Sequence, residues 1–143
     1  MAYNLPSEAD EWVGEWRRKL NESEAYSEAG QGWGIGFNGD FLFEIQPDDV
    51  YDGDSVYLFV ALADGECSDA YQTDDPEGED WGFAFRGSYS NWKRLVNGDV
   101  GAVEGMMDGE FELDGDMQKV LQYSNAAVVM TDNASEVETE FEY

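Results

Sequence analysis

The chain has 143 residues, 42% apolar and 15% aromatic, with 33 Asp and Glu against seven Lys and Arg for a net charge of −26. Phosphate contacts need clustered cations, so this balance excludes nucleic acid as a partner and disfavours anionic membranes. No histidine and only one cysteine are present, which removes Ser-His-Asp and Cys-His catalysis, His-based zinc sites, haem ligation and an intrachain disulfide.

A chain of this length reads as one domain, residues 1–143, able to bury about 70% of its unfolded surface. Acidic excess of this size often means disorder. Five Trp, eight Tyr and eight Phe, set in period-2 and helical patterns, argue for a packed core instead. Because the acids are spread along the whole chain, they fit a halophilic-type acidic surface for a salty cytoplasm better than a docking patch for a basic partner. At about 1 M salt the Debye length is near 3 Å, so self-repulsion is screened; folding is expected to depend on salt. The lone Cys67 fits a reducing compartment. The longest apolar run, Val56 to Ala63, is far below a membrane span, and the N-terminus shows no export pattern. The expectation is a soluble, cytoplasmic protein without stable membrane insertion.

In chain order, Ser7 and Asp10 suggest a capping box for a first helix, with Ala9, Trp12, Val13, Trp16 and Leu20 on one buried face. Arg17, Arg18 and Lys19 stand towards its C-terminal end, where cations are favoured; they read as a solvated helix end, with an anion site as the alternative. Gly34, Gly36 and Gly39 have G-x-G-x-x-G spacing, but a dinucleotide site needs a strand before and a helix after. Here a strand-like run follows, Phe41 to Ile45, stopped by Pro47. Val56 to Ala63 is apolar on both faces, a central strand. Asp64-Gly65 supplies a type I′ turn into a more polar strand, Glu66 to Thr73. A loop over 74–80 precedes a fourth strand, Trp81 to Ser88. Ser90 then caps a helix carrying Trp92, Leu95 and Val96, ended by Gly98. Asp99 caps another, with Val100, Val103, Met106 and Met107, stopped by Gly109. A short strand, Glu110 to Leu113, leads through Asp114 or Asp116 into a helix with Met117, Val120, Leu121, Ser124 and Val128 on one face. In the tail, residues 131–143, Ser135 and Glu138 suit a helix cap while Val137, Thr139, Phe141 and Tyr143 alternate like a strand. Consecutive hairpin strands mixed with helices argue for an α+β layer structure, in the order α-β-β-β-crossover-β-α-α-β-α.

The segment from Phe85 to Leu121 resembles the sterol carrier protein type-2 family of lipid-binding domains. Trp92, Leu95 and Gly98 match a W/F-x-x-L-x-x-G helix ending. Met106-Met107-Asp108-Gly109-Glu110-Phe111 with Gly115-Asp116 stands where that family carries an A-x-x-x-G-K-L-x-x-x-G-D run. Glu110 departs from it, replacing a usual lysine. The likeness spans about residues 7–130 and is strongest over 83–121. It implies a five-stranded, mostly antiparallel mixed sheet with helices packed on one face and a lipid tunnel between the layers.

No constellation of reactive groups emerges, so no catalytic residue, metal ligand or cofactor is assigned. Cys67 beside a hairpin reads as a small core residue, and the Asp-rich stretches miss the calcium-loop spacing. The candidate ligand-binding residues are Phe83 and Phe85 on the fourth strand with Val103, Met106, Met107, Met117, Val120 and Leu121 on the helices. Methionine is adaptable and suits a cavity of variable occupants. Arg86, Lys93 and Arg94 are candidates to hold an acidic head group. The expected function is non-catalytic binding and transfer of a lipid or other hydrophobic small molecule; a salt-loving host would favour acyl or isoprenoid chains over sterols. The alternative is an accessory module that binds a protein partner through Trp33 or Trp81.

Overall fold

A computed structural model describes residues 2–143. The elements are β1 (Tyr3–Leu5), α1 (Ala9–Glu22), α2 (Glu24–Ala29), β2 (Phe41–Gln46), β3 (Val56–Ala63), β4 (Glu66–Thr73), β5 (Phe83–Ser88), α3 (Tyr89–Val96), α4 (Ala102–Met107), β6 (Phe111–Asp114), α5 (Met117–Gln122), α6 (Ser124–Ser135) and β7 (Thr139–Phe141). Five strands form one sheet in the order β4-β3-β2-β5-β6. Only β2 and β5 run parallel; the other neighbours are antiparallel. This is the α+β architecture expected from the element order, with a mixed, mostly antiparallel sheet.

Register decides which side chains meet the helices. Phe41↔Val60, Phe43↔Leu58 and Ile45↔Val56 pair across β2 and β3, and Phe41↔Phe83 and Phe43↔Phe85 across β2 and β5. Phe85↔Leu113 extends the same face onto β6. One face of the sheet is therefore a continuous apolar floor. The turn from β3 to β4 has Asp64 at φ 51° and Gly65 at φ 81°, as a type I′ hairpin requires. Gly65 has a second reason to be glycine, since a Cβ there would run into the Ser27 carbonyl.

Helix α1 buries Ala9, Trp12, Val13, Trp16 and Leu20, the five positions its periodicity marks. Its start differs from expectation: the N-cap is Glu8, without a side-chain cap bond. The Ser7 amide instead donates to Glu142 Oε1 (2.7 Å), and Asp10 Oδ1 accepts from the Gln72 amide. Long-range partners outcompete the local box. Likewise Ser88, not Ser90, caps α3, its side chain accepting from the Asn91 amide, and Gly101, not Asp99, precedes α4. Asp116 caps α5 as one of the two expected residues.

The expected single final helix is two. Tyr123 breaks it at φ −108°, ψ 31°, and the phase shifts, so Val128 turns outward while Ala126, Met130, Asn133 and Ala134 go inward. The tail resolves as strand: β7 pairs in parallel with β1, Tyr3↔Thr139 to Leu5↔Phe141. Trp12 Nε1 donates to Thr139 Oγ1 (2.8 Å) and the Tyr89 hydroxyl to the Leu5 carbonyl (2.9 Å), tying this pair to α1 and α3.

Candidate hydrophobic binding site

Between the apolar floor and the helices lies a cavity of about 50 Å³. The floor is Phe41 and Phe43 of β2, with Phe85 of β5 and Leu113 of β6; the walls include Trp16, Trp92 and Leu95; the cover is Ala102 and Met106 of α4, Val120 of α5, and Ala127, Met130 and Thr131 of α6. Phe41 and Phe43 stack at 5.2 Å and 5°, and Trp92 stands edge-on to Phe43 at 5.7 Å. Phe85 stacks on Phe111 at 4.6 Å. The Phe111 ring fits because Gly87 and Gly105 flank it: a Cβ at either would overlap its Cδ atoms.

The lining is chemically silent. Trp16 Nε1 donates to the Met130 carbonyl (3.0 Å) and Trp92 Nε1 to the Glu44 carbonyl (2.8 Å). The Thr131 hydroxyl turns back on its own helix, to the Val128 carbonyl at 2.9 Å. Every polar atom these three side chains bring is already hydrogen-bonded to backbone. A void of this volume could hold water, but water needs two or more polar partners, and apolar cavities stay dry. A second void of about 30 Å³ adjoins it, sharing Phe41, Val120, Ala127 and Met130 and bounded further by Tyr26, Trp33, Leu62, Tyr123 and Ala126.

Of the eight candidate residues, Phe85, Met106 and Val120 line the larger void, and Val120 lines both. Phe83 is buried but stacks on Phe41 at 5.3 Å and lies outside both linings. Val103 is half-buried against the core. Met107, Met117 and Leu121 point to solvent, 64%, 39% and 37% exposed. The reason is geometric: adjacent residues on a helix point about 100° apart, so Met106 and Met107 cannot both face in, nor can Val120 and Leu121. Among the described residues the inward methionines are Met106 and Met130. Met130 escaped the sequence reading because the break at Tyr123 resets the helix phase. Phe41, Phe43 and Trp16 were legible as core and differ from ordinary core only in bordering the void.

The cations are engaged. Arg86 bridges Glu44, Glu112 and Asp114 on the outer face of the sheet, Arg94 pairs with Glu110 at 2.9 Å, and Lys93 Nζ donates to the Tyr143 carbonyl. Glu110, the acid standing where lysine was expected, precedes β6 and is thus an ion-pair partner of Arg94 on α3. Arg17 donates to the Cys67 and Ser68 carbonyls, and Arg18 pairs with Glu15 and Glu22; both arginines of the basic triplet are thus already engaged. Trp33 is buried, only 5% exposed, and Trp81 is half-buried with Nε1 on the Pro76 carbonyl, so Trp33 does not form a contact surface. Cys67 is buried, and burial pushes its thiol up to about 12, far from a thiolate nucleophile. Among the described residues no three His, Cys, Asp or Glu side chains gather as a metal group, and no helix is long and apolar enough to cross a membrane.

Similar folds are known. A crystal structure of sterol carrier protein 2 superposes with a TM-score of 0.78 at 28% identity, covering 90% of this chain and 96% of its own. A solution structure of a Thermus thermophilus protein, described as possibly a sterol carrier protein, gives 0.77 at 28% identity, covering 91% and 88%. The apo sterol carrier protein 2 of Yarrowia lipolytica shares the fold at 0.56 and 16% identity, covering 85% and 88%. No curated protein matches the sequence. Residues 35–128 match the SCP-2 sterol transfer family, and this stretch carries β2 through the start of α6, the whole floor and most of the cover residues of the void; the chain belongs to that family.

Proposed function

We propose that this protein binds a lipid or other hydrophobic small molecule between the sheet and the cover formed by α4, α5 and α6, and carries it without catalysis. The observation that supports this most is the unfilled apolar void whose lining groups have every donor bonded to backbone. Such a site recognises hydrocarbon and nothing else. Each buried methylene contributes about 0.8 kcal/mol gross, reduced by ordering costs. A void of about 50 Å³ is far smaller than the few hundred Å³ of a ligand-filled pocket, so binding requires the cover to move outward. Its build suits that: α4 and α5 have six residues each, lengths too short to hold helix without tertiary contacts.

The test is organic extraction of the purified protein at high KCl followed by mass spectrometry. A stoichiometric acyl or isoprenoid lipid is the expected result. A protein that carries none, and whose tryptophan fluorescence ignores added long-chain ligands, contradicts the reading.

The reading extends to habitat. With a net charge of −26, the surface suits a cytoplasm rich in salt, and the melting temperature should climb between about 0.1 M and 2 M KCl as screening shortens the range of repulsion. A flat melting temperature across that range contradicts it.

A further inference from the structure

We infer that the Tyr26 hydroxyl is a polar anchor in the smaller void, where it donates to an uncharged acceptor oxygen of the ligand, as in a long-chain ketone or ester. This role rests on the carrier reading above and adds to it the chemical class of the ligand's polar group.

Tyr26 is 1% exposed and lines the smaller void. Its amide donates to the Ser23 hydroxyl that caps α2, but its own hydroxyl has no hydrogen-bond partner among the described residues. The side-chain polar atoms sealed among those residues without a partner are Glu110 Oε2 and Asn133 Nδ2. The Tyr26 oxygen is not one of them, so it borders open space, and the space this residue borders is the void. The other polar side chains of that lining are engaged or turned elsewhere. Trp33 Nε1 donates to the Gly39 carbonyl (2.9 Å), and the Tyr123 hydroxyl stands against Gly32, which is outside the lining.

Burial pushes the Tyr26 pKa up, so the phenol keeps its proton and stays a donor. A ketone or ester carbonyl accepts that proton and has no hydrogen of its own to satisfy. An alcohol paired with the same phenol leaves one O–H hydrogen unbonded, and a carboxylate brings a charge that one neutral donor does not offset. The two voids share Phe41, Val120, Ala127 and Met130. Once the cover yields, one ligand can therefore lay its chain in the larger void and its oxygen in the smaller. The anchor is held firmly. A Cβ on Gly30 would press on the Gly65 backbone, and one on Gly65 on the Ser27 backbone, so α2 rests backbone to backbone on the β3–β4 turn. A donor fixed in this way loses little freedom on binding.

The experiment titrates the purified protein and its Tyr26→Phe variant with methyl decyl ketone and with dodecane, a hydrocarbon of equal length. It is run at a KCl concentration where circular dichroism shows the fold intact. Trp33 lines the smaller void and Trp16 and Trp92 the larger, which makes intrinsic fluorescence the readout. Tyr26→Phe removes an oxygen that has no protein partner to lose, so the melting temperature should hold or rise. The variant should bind the ketone about fivefold more weakly, the worth of one neutral hydrogen bond, and dodecane as before. In the parent protein the bound ketone's infrared carbonyl band should fall below its position in hydrocarbon solvent, a measurement that needs no variant. Equal ketone affinity in the two proteins overturns the assignment, as does an equal loss of ketone and dodecane or a carbonyl band at the hydrocarbon-solvent position. If neither ligand perturbs the parent's fluorescence while the fold is intact, the carrier reading itself fails, a distinct outcome.

Discussion

The two sides of the cavity are built on opposite principles. The wall on one side is a 14-residue helix, α1, and the floor is three hydrogen-bonded strands of one sheet, β2, β5 and β6; most of the buried residues there are large, aromatic and in mutual ring contact. Trp12, Trp16 and Phe43 are linked at 5.4 and 5.2 Å, and Phe43 continues to Phe41. The cover uses helices of six, six and twelve residues that meet the floor through methionine, valine and alanine. Aromatic stacks hold one geometry; methionine and alanine tolerate several. One side is a template and the other a lid able to yield, and low local stability is where binding motions are found.

The sharpest attack on this contrast is Trp16→Ala. It deletes a ring packed on Trp12 and Phe43 and the Nε1 bond to the Met130 carbonyl, and is expected to cost about 3–5 kcal/mol by chemical denaturation at high KCl. A cost near 1 kcal/mol would place the wall among the yielding elements. Met106→Ala should cost less, about 2–3 kcal/mol, because short helices around it can settle inward. It should also admit a bulkier hydrophobic ligand, read as tightened binding of a branched chain over the parent. Equal costs at the two sites would erase the distinction.

Two glycines of nearly equal backbone angle sharpen it further. Gly65 in the β3–β4 turn has φ 81° and no space, whereas Gly109 after α4 has φ 80° with nothing within 4 Å of an added Cβ. Gly109→Ala should lose only the left-handed backbone cost, about 1–2 kcal/mol. Gly65→Ala must also displace the Ser27 backbone, so its thermal midpoint should fall further than that of Gly109→Ala. Equal shifts would show that the turn region adapts as readily as the cover.

The smallest effect concerns pH. Burial pulls the Asp48 pKa up, but hydrogen bonds from Ser90, Tyr51 and Val50 outweigh it and hold the carboxyl at about 2. A folded pKa below the unfolded value, about 3.9, adds stability that is present above pH 4 and lost as pH falls towards 2. Asp48 joins the loop after β2 to the N-terminal end of α3, on the template side. Asp48→Asn should lower stability modestly at neutral pH and flatten the stability profile between about pH 4 and pH 2. An unchanged profile would remove Asp48 as a contributor.

Elements whose signal is local were legible without a structure. The buried stripe of α1, the bounds of β3 and β4 and the Asp64-Gly65 turn follow from periodicity and from the backbone angles that glycine permits. The stacked floor was implied, since Phe41, Phe43 and Phe85 fall on alternating strand positions. What periodicity could not decide was phase in helices shorter than two turns. Six residues contain no second full turn to distinguish Met106 from Met107 or Val120 from Leu121, so packing against the sheet chose. Nor could it foresee β1 pairing with β7, because three-residue strands carry no pattern of their own and join across nearly the whole chain. The charge and the apolar pattern are properties of the residues themselves, whereas a void exists only where side chains from β2, α4 and α6 fail to meet.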